Sequence, residues 1–538
     1  ALQRINREIA KSPKEAKYQD FLSQVYIYQK DYAGAERAYN KAIELDPQNG
    51  ARRLALADFF DKTGNPEKGL QAYEKLVTDN PDNAVFAKRL AALYVSRGGL
   101  QKALQTLERV LQKNSKDADA HALKSQILLD QGKTDEAVSD LKAALANEPN
   151  SPQLHYVMGL AYQKTGEMRQ AEAEWNACTN QDKAFIPAYL ALAQYKLDSG
   201  DMDAALRHAS RALTANPNSL DAHFAVGTAY AAKRDFKNAI PELEIYTRQK
   251  PNDPLGLGRL AMAYAGQGDK SKAESYFESA LKADPKDIKS LTGLAALYLS
   301  KNQPELALKR VDSQMQIAGK SSKIQELRGQ ILAFRKDFAG AEEAFRKSID
   351  LDKNSFSAYA ELGQVFLQQG NLEKAKSEYE SLLKVNSKAS HAHVMLGWIY
   401  QSQKNLEKAK QHYREALKID SGILIAANNL AWMLAESGES LDEAYNLARM
   451  ARQKLPDSTE IADTLGWVQY KRESYRTAID LLEECIRKDP KNAAYKVHLG
   501  MCYQKNGDPK KAKEILSEAF RLDSNLAGVA EAKKLLGK

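Results

Sequence analysis

Only three of the 538 residues are cysteine, Cys178, Cys485 and Cys502, and none stands at CxxC spacing, so the chain carries no disulfide framework. No apolar run reaches the roughly 18 residues that a membrane-spanning helix needs. Charge of one sign is not in large excess either. The 78 basic side chains meet 70 acidic ones, and the net charge of +8 is spread along the chain, which argues against a nucleic-acid or membrane-surface footprint. A glycine-rich phosphate loop, an HExxH helix and a Cys or His cluster with metal-ligand spacing are all missing, so no catalytic residue, cofactor or metal is expected. The chain opens Ala1-Leu2-Gln3-Arg4, without an initiator Met, and the lack of a signal-peptide pattern there says nothing about location. A content of 43% hydrophobic and 28% charged residues excludes a disordered tail or a collagen-like fibre.

What the sequence does have is a ruler. Pro13, Pro47 and Pro81, then Pro149, then Pro217, Pro251 and Pro285 are separated by 34 residues or by 68. With Pro47 at position 32 of a repeat, position 8 falls on Ser23, Ala57, Ala91, Ser125, Gly159 and so on to Gly363, Gly397, Ala431, Gly466 and Gly500, allowing one inserted residue near Gly438. Every one is Gly, Ala or Ser. Position 20 is Ala from Ala35 to Ala512, with Gly69 the exception. Small residues at both places mark where two antiparallel helices cross closely, since anything beyond a methyl would push the axes apart. Leu at position 7 and Tyr or Phe at position 11, as in Leu90 and Tyr94, form one apolar stripe; position 20 and an aromatic at position 24, as in Ala375 and Tyr379, form another. Residues four apart make a helical stripe, not the alternation of a strand. Between the stripes lie turns such as Gly132-Lys133 and Gly370-Asn371, so each unit reads helix A, tight turn, helix B.

Leu-Gly-x-x-Tyr, then Ala, then an aromatic four residues later, then Pro, carried almost completely from Gly363 to Tyr379 and from Leu396 to Tyr413, resembles the tetratricopeptide repeat. The resemblance implies an all-α fold, a right-handed α-solenoid superhelix of about fifteen such helix-turn-helix units, each burying its apolar face against its neighbours. The register places residues 1–15 as helix B of an incomplete repeat, 16–318 as repeats 1–9, 319–524 as repeats 10–15, and 525–538 as a capping helix with Leu526, Val529, Ala532, Leu535 and Leu536 on one face. Starting inside a repeat leads us to expect a protein that extends further toward its N-terminus. From Gln314 to Lys323 the pattern lapses into a Gly-Lys-Ser-Ser stretch, which reads as a weak repeat or as a hinge between two segments. The insertion near Gly438 is expected only to lengthen one turn.

His391 and His393, two apart on a helix, point to different faces and cannot chelate together; His412 approaches them across the repeat, but surface histidines are the reading adopted. Cys178 and Cys485 occupy position 27, normally Ala, and read as small core residues, with a Cys485 to Cys502 disulfide as the alternative in an oxidising compartment.

In the family, helix A positions 2, 5, 6, 9, 12 and 13 line a groove. Position 9 is mostly small or polar until it turns abruptly to Trp398, Trp432, Trp467 and Met501, while the fourth tryptophan, Trp175, is a core aromatic at position 24. Around this column stand Gln401, Asn428, Asn429, Tyr470 and Gln504. Large aromatics with amides nearby suit a partner's apolar anchors and backbone groups; the competing reading is that the rings pack sideways and stiffen the segment. Two groove chemistries of the family fail: Lys88 has Ala92 where a carboxylate clamp needs Asn, and an asparagine ladder is confined to Asn428 and Asn429. The expectation is therefore a non-catalytic interaction scaffold that holds protein partners in its groove. The alternatives are a docking or regulatory arm of an enzyme, a polysaccharide-binding groove, or a self-assembling structural protein. The stretches from Ala426 to Glu436 and from Asp463 to Lys471 resemble tetratricopeptide proteins of bacterial cell envelopes, several of them in exopolysaccharide secretion and exosortase-type systems. That resemblance implies polysaccharide-secretion components as partners and a periplasmic or outer-membrane-associated location, with the cytoplasm as the alternative.

Overall fold

In the computed structural model, residues 2–523 are described, and among them lie 31 α-helices and no strand. The helix Leu2–Lys11 stands where a helix B is expected. Fifteen A–B hairpins follow, from Ala16–Tyr28 with Tyr32–Leu45 to Ala493–Lys505 with Pro509–Leu522. The helical-hairpin array expected from the 34-residue period is thus present, unit for unit. The expected capping helix at 525–538 lies outside the described residues. The described residues form two compact units that divide between residues 280 and 281.

The turn inside each hairpin explains the sequence punctuation. Its first residue has positive φ in every repeat, from Lys30 (60°) and Gly64 (80°) through Gly370 (73°) and Lys404 (60°) to Gly507 (87°). Glycine enters that left-handed conformation without a Cβ penalty, which is why it recurs there. The next residue often caps helix B: Asp31 Oδ1 accepts from the Gly34 N–H at 2.8 Å, and Asn371 Oδ1 from the Lys374 N–H at 3.1 Å. Lys30-Asp31 and Lys336-Asp337 keep the cap while giving up the glycine.

The small residues at positions 8 and 20 are buried throughout, as in Ala57, Ala91, Ala375 and Ala409, each at 0% exposure. At several glycines the reason differs from a plain helix crossing. A Cβ on Gly363 would lie 2.7 Å from Cζ of Tyr379, and one on Gly329 would lie 2.7 Å from Cε1 of Phe345. There the position-24 ring of helix B fills the space of the missing methyl. At Gly227 the neighbour is Leu243, with the Ala239 carbonyl oxygen at 3.1 Å, so backbone approach contributes as well.

The irregular stretch ends the helix Pro304–Ala318 at Gly319 and begins Ser322–Phe334. Gln314, in the place of an apolar residue, is 1% exposed; its amide donates to the Pro285 carbonyl and accepts from Arg310 Nη1 at 2.6 Å. The inserted turn does more than lengthen a loop. Glu439 within it reaches Lys410 Nζ at 2.7 Å, and Glu407 meets the same buried ammonium at 2.7 Å, tying one hairpin to the next. The three cysteines are buried free thiols, pushed up to about 12 by burial, and Cys485 donates to the Thr459 carbonyl instead of pairing with Cys502.

Candidate functional site

The position-9 column lies on four A helices of the second unit: Ser390–Ser402, Leu424–Ser437, Thr459–Lys471 and Ala493–Lys505. Their equivalent registers bring Trp398, Trp432, Trp467 and Met501 to the same face. The structure then separates them by exposure. Trp398 is 45% exposed, Trp432 is half-buried, and Trp467 and Met501 are buried at 6% and 4%.

From Trp432 onward the column closes into a ring cluster. Trp432 stacks on Trp467 at 5.9 Å between centroids, and Trp467 stacks on Tyr470 at 4.7 Å. His498 wedges against both tryptophans, at 5.4 Å and 4.6 Å, while its Nδ1 donates to Asp463 Oδ1 at 2.7 Å. The Trp467 indole N–H donates to Glu436 Oε1 at 2.5 Å, and Lys471 lies over the same ring at 5.1 Å. Glu436 and Asp463 are thus spent on internal partners, and Tyr470 is buried. Stacked rings satisfied in this way are packed core with a polar rim.

The amides behave differently. Tyr413 Oη, reaching up beneath Gly397, donates to Gln401 Oε1 at 3.0 Å and accepts from Asn429 Nδ2 at 3.2 Å. Asn428 Oδ1 is buried with no hydrogen-bond partner among the described residues. Gln504 is half-buried. In the first unit the same column is bonded from below: Gln24 Nε2 donates to Tyr39 Oη at 2.7 Å, and Tyr73 Oη donates to Asp58 Oδ1. Lys88, tested above for a clamp, is engaged by Asp117 and Asp119, each at 2.9 Å.

Sequence reasoning missed a second periodic constellation, although its signal was there: histidine recurs at position 4 in His121, His155, His223 and His393. In the first three, Nδ1 meets a position-23 carboxylate of helix B: Asp140 at 2.9 Å, Glu174 at 2.6 Å and Glu242 at 2.5 Å. Each Nε2 contacts the backbone oxygen six residues earlier, of Ser115, Pro149 and Pro217 respectively, bracing the inter-repeat loop. The hydrogen bond to Glu174 holds His155 above the usual imidazole range, against the opposing effect of burial. His393 breaks the rule. Its position-23 partner is His412, with Nδ1 to Nδ1 at 3.0 Å, and burial holds both below the usual range. The two rings expected to be separate surface histidines are therefore a half-buried pair, whereas His391 is exposed. Among the described residues, no three His, Cys, Asp or Glu side chains converge as a metal-ligand set.

Family models described as tetratricopeptide repeat match residues 26–77, 62–127, 190–254, 264–331, 322–355, 360–422 and 469–538, and one described as TPR repeat matches 126–166. Cellulose synthase operon protein C of Pseudomonas fluorescens is 30% identical over 139 residues, which is 24% of this chain and 11% of that protein. The anaphase-promoting complex subunit CDC16 of Saccharomyces cerevisiae is 24% identical over 219 residues, 39% of this chain and 26% of that protein. The chain thus spans about a tenth and about a quarter of the lengths of these curated relatives. Among solved structures, yeast Tom70 is similar at 16% identity and a TM-score of 0.38, covering 87% of this chain and 98% of that one. The Cut9–Hcn1 hetero-tetramer of the APC/C is similar at 14% identity and a TM-score of 0.34, covering 87% and 99%.

Proposed function

Because this chain belongs to the tetratricopeptide repeat family, we propose that it is a non-catalytic scaffold that holds a partner protein on the A-helix face of its last four repeats. The observation that carries this is Trp398. It is the tryptophan of the column that keeps 45% of its surface exposed, one repeat before the Trp432–Trp467 stack. An exposed indole on a rigid helix is the side chain that most often anchors an interface. A partner segment supplying an apolar side chain would cover that ring. Trp467, Tyr470 and Met501 then act by holding Trp432 and its helix in place.

The test is affinity capture from the native source with the wild-type chain and with Trp398→Ala, after circular dichroism has shown equal helicity. Loss of a captured protein with Trp398→Ala supports the reading. Identical partners on both baits would move the binding surface elsewhere.

For the setting, the reading favoured is a bacterial envelope system that exports polysaccharide, with the protein in the periplasm or at the outer membrane. It is supported by the 139-residue similarity to a cellulose synthase operon protein. Fractionation of cells expressing the tagged natural protein decides it: recovery in the cytosol would remove that setting while leaving the scaffold reading intact. Quenching of Trp398 fluorescence by cello-oligosaccharide, with no protein captured, would make the groove a polysaccharide site instead.

A further inference from the structure

We propose that His393 and His412 form a two-nitrogen site for a divalent transition ion of the Cu2+ or Ni2+ class, open to further ligands from water or from a partner. Both rings belong to one hairpin. His393 is on Ser390–Ser402 between the buried Ala392 and Val394, and His412 is on Leu406–Ile419 next to the fully buried Tyr413. The two backbones are therefore fixed before any ion arrives, and the Nδ1 atoms face each other at 3.0 Å. Nitrogens bonded to one ion at about 2.0–2.1 Å stand that far apart when the angle between the bonds is roughly 90°, the cis arrangement of a tetragonal site.

The register favours one tautomer as well. His393 stands where His121, His155 and His223 turn Nε2 to the carbonyl six residues back, which for His393 is that of Ser387. A proton held on Nε2 by a carbonyl leaves Nδ1 as a lone pair, the arrangement by which second partners orient metal-bound histidines. The contact between the rings then uses one proton, donated by His412 Nδ1; an ion takes its place when that proton moves to His412 Nε2, so that both rings bind as neutral imidazoles through Nδ1. In the three sister hairpins the facing group is a carboxylate already paired with its histidine; here it is a second imidazole. Tyr400 stacks on His412 at 5.4 Å and 10°, and its hydroxyl donates to Glu380 at 3.2 Å, fixing the ring. Glu380 and Glu415 supply negative charge near the pair, and Lys408 opposes it.

The experiment uses the full chain, free of any histidine tag and stripped with chelator, titrated with CuCl2 and separately with NiCl2. Calorimetry should show one saturable equivalent and a higher Tm with metal. The Cu2+ electron paramagnetic resonance spectrum should show coupling to two nitrogens, a readout that needs no variant. His393→Tyr copies the sister hairpin in which Tyr189 faces His208, and His412→Gln keeps the side chain's size; each should weaken binding at least tenfold. His391→Asn should leave binding unchanged. Unaltered one-equivalent binding in both pair variants, a spectrum without two-nitrogen coupling, or no saturable binding by the wild type would each overturn the proposal.

Discussion

A side-chain carbon on Gly397 would lie 2.7 Å from Cε1 of Tyr413, so the missing methyl of helix A is the seat of a ring from helix B. That side chain is wholly buried, and its hydroxyl bonds beneath the A helices to Gln401 and Asn429. One glycine thereby sets both the packing of the hairpin and the orientation of two candidate contact amides.

Gly397→Ala should therefore destabilise the second unit by about 1–3 kcal/mol, the usual effect of forcing a methyl into a filled core. Adding Tyr413→Leu should recover part of the loss, because Ala91 with Leu107 shows the same two positions packing well in that form. Denaturant midpoints of the single and double variants check this; additive losses would mean that the two residues are not coupled.

The tryptophan column should split in a stability assay. Trp467→Ala removes a buried ring with three aromatic neighbours and should lower stability by about 3–5 kcal/mol. Trp398→Ala should stay within about 0.5 kcal/mol while abolishing partner capture. Equal losses from both would contradict the division into packed and exposed rings.

Acidification should act in opposite directions on two hairpins. His155 has a raised pKa, so its stabilisation is complete below the unfolded-state value of about 6.5 and fades as pH rises through the raised one. His393 and His412 have lowered values, so stability is complete above 6.5 and is lost as pH falls through the depressed ones. Between pH 7 and pH 5, intrinsic-rate-corrected amide exchange should show protection rising in Pro152–Thr165 and falling in Ser390–Ser402.

The left-handed turn position gives a further check. Lys404 sits there at φ 60°, where a β-carbon is unfavourable by about 1 kcal/mol. Lys404→Gly should raise stability by that order, and Gly370→Ala should lower it by a similar amount, read as shifts in thermal midpoint.

Most of the architecture was legible because a 34-residue period repeats the same local requirements in every unit: a small residue, a ring, a turn, a cap. Position 8 was correctly read as obligatorily small, but its glycines could not be traced to rings sixteen residues away without knowing where those rings point. The fate of each position-9 tryptophan was not legible either. That position is shared between the surface and the next hairpin, so burial of Trp467 depends on His498, a residue of the following repeat. The histidine pairs were hidden for a simpler reason. Each half looks like an isolated surface residue until helix B is laid against helix A, when residues nineteen apart become neighbours.

The confinement of packing to near neighbours has a mechanical consequence. Among the described residues, helices pack chiefly on those one or two places along the chain, and no strut joins distant repeats within a unit. Pulled from its ends, such an array gives way one hairpin at a time, each release small and each re-formed locally once the load falls. Tension on such a unit would then be absorbed in increments.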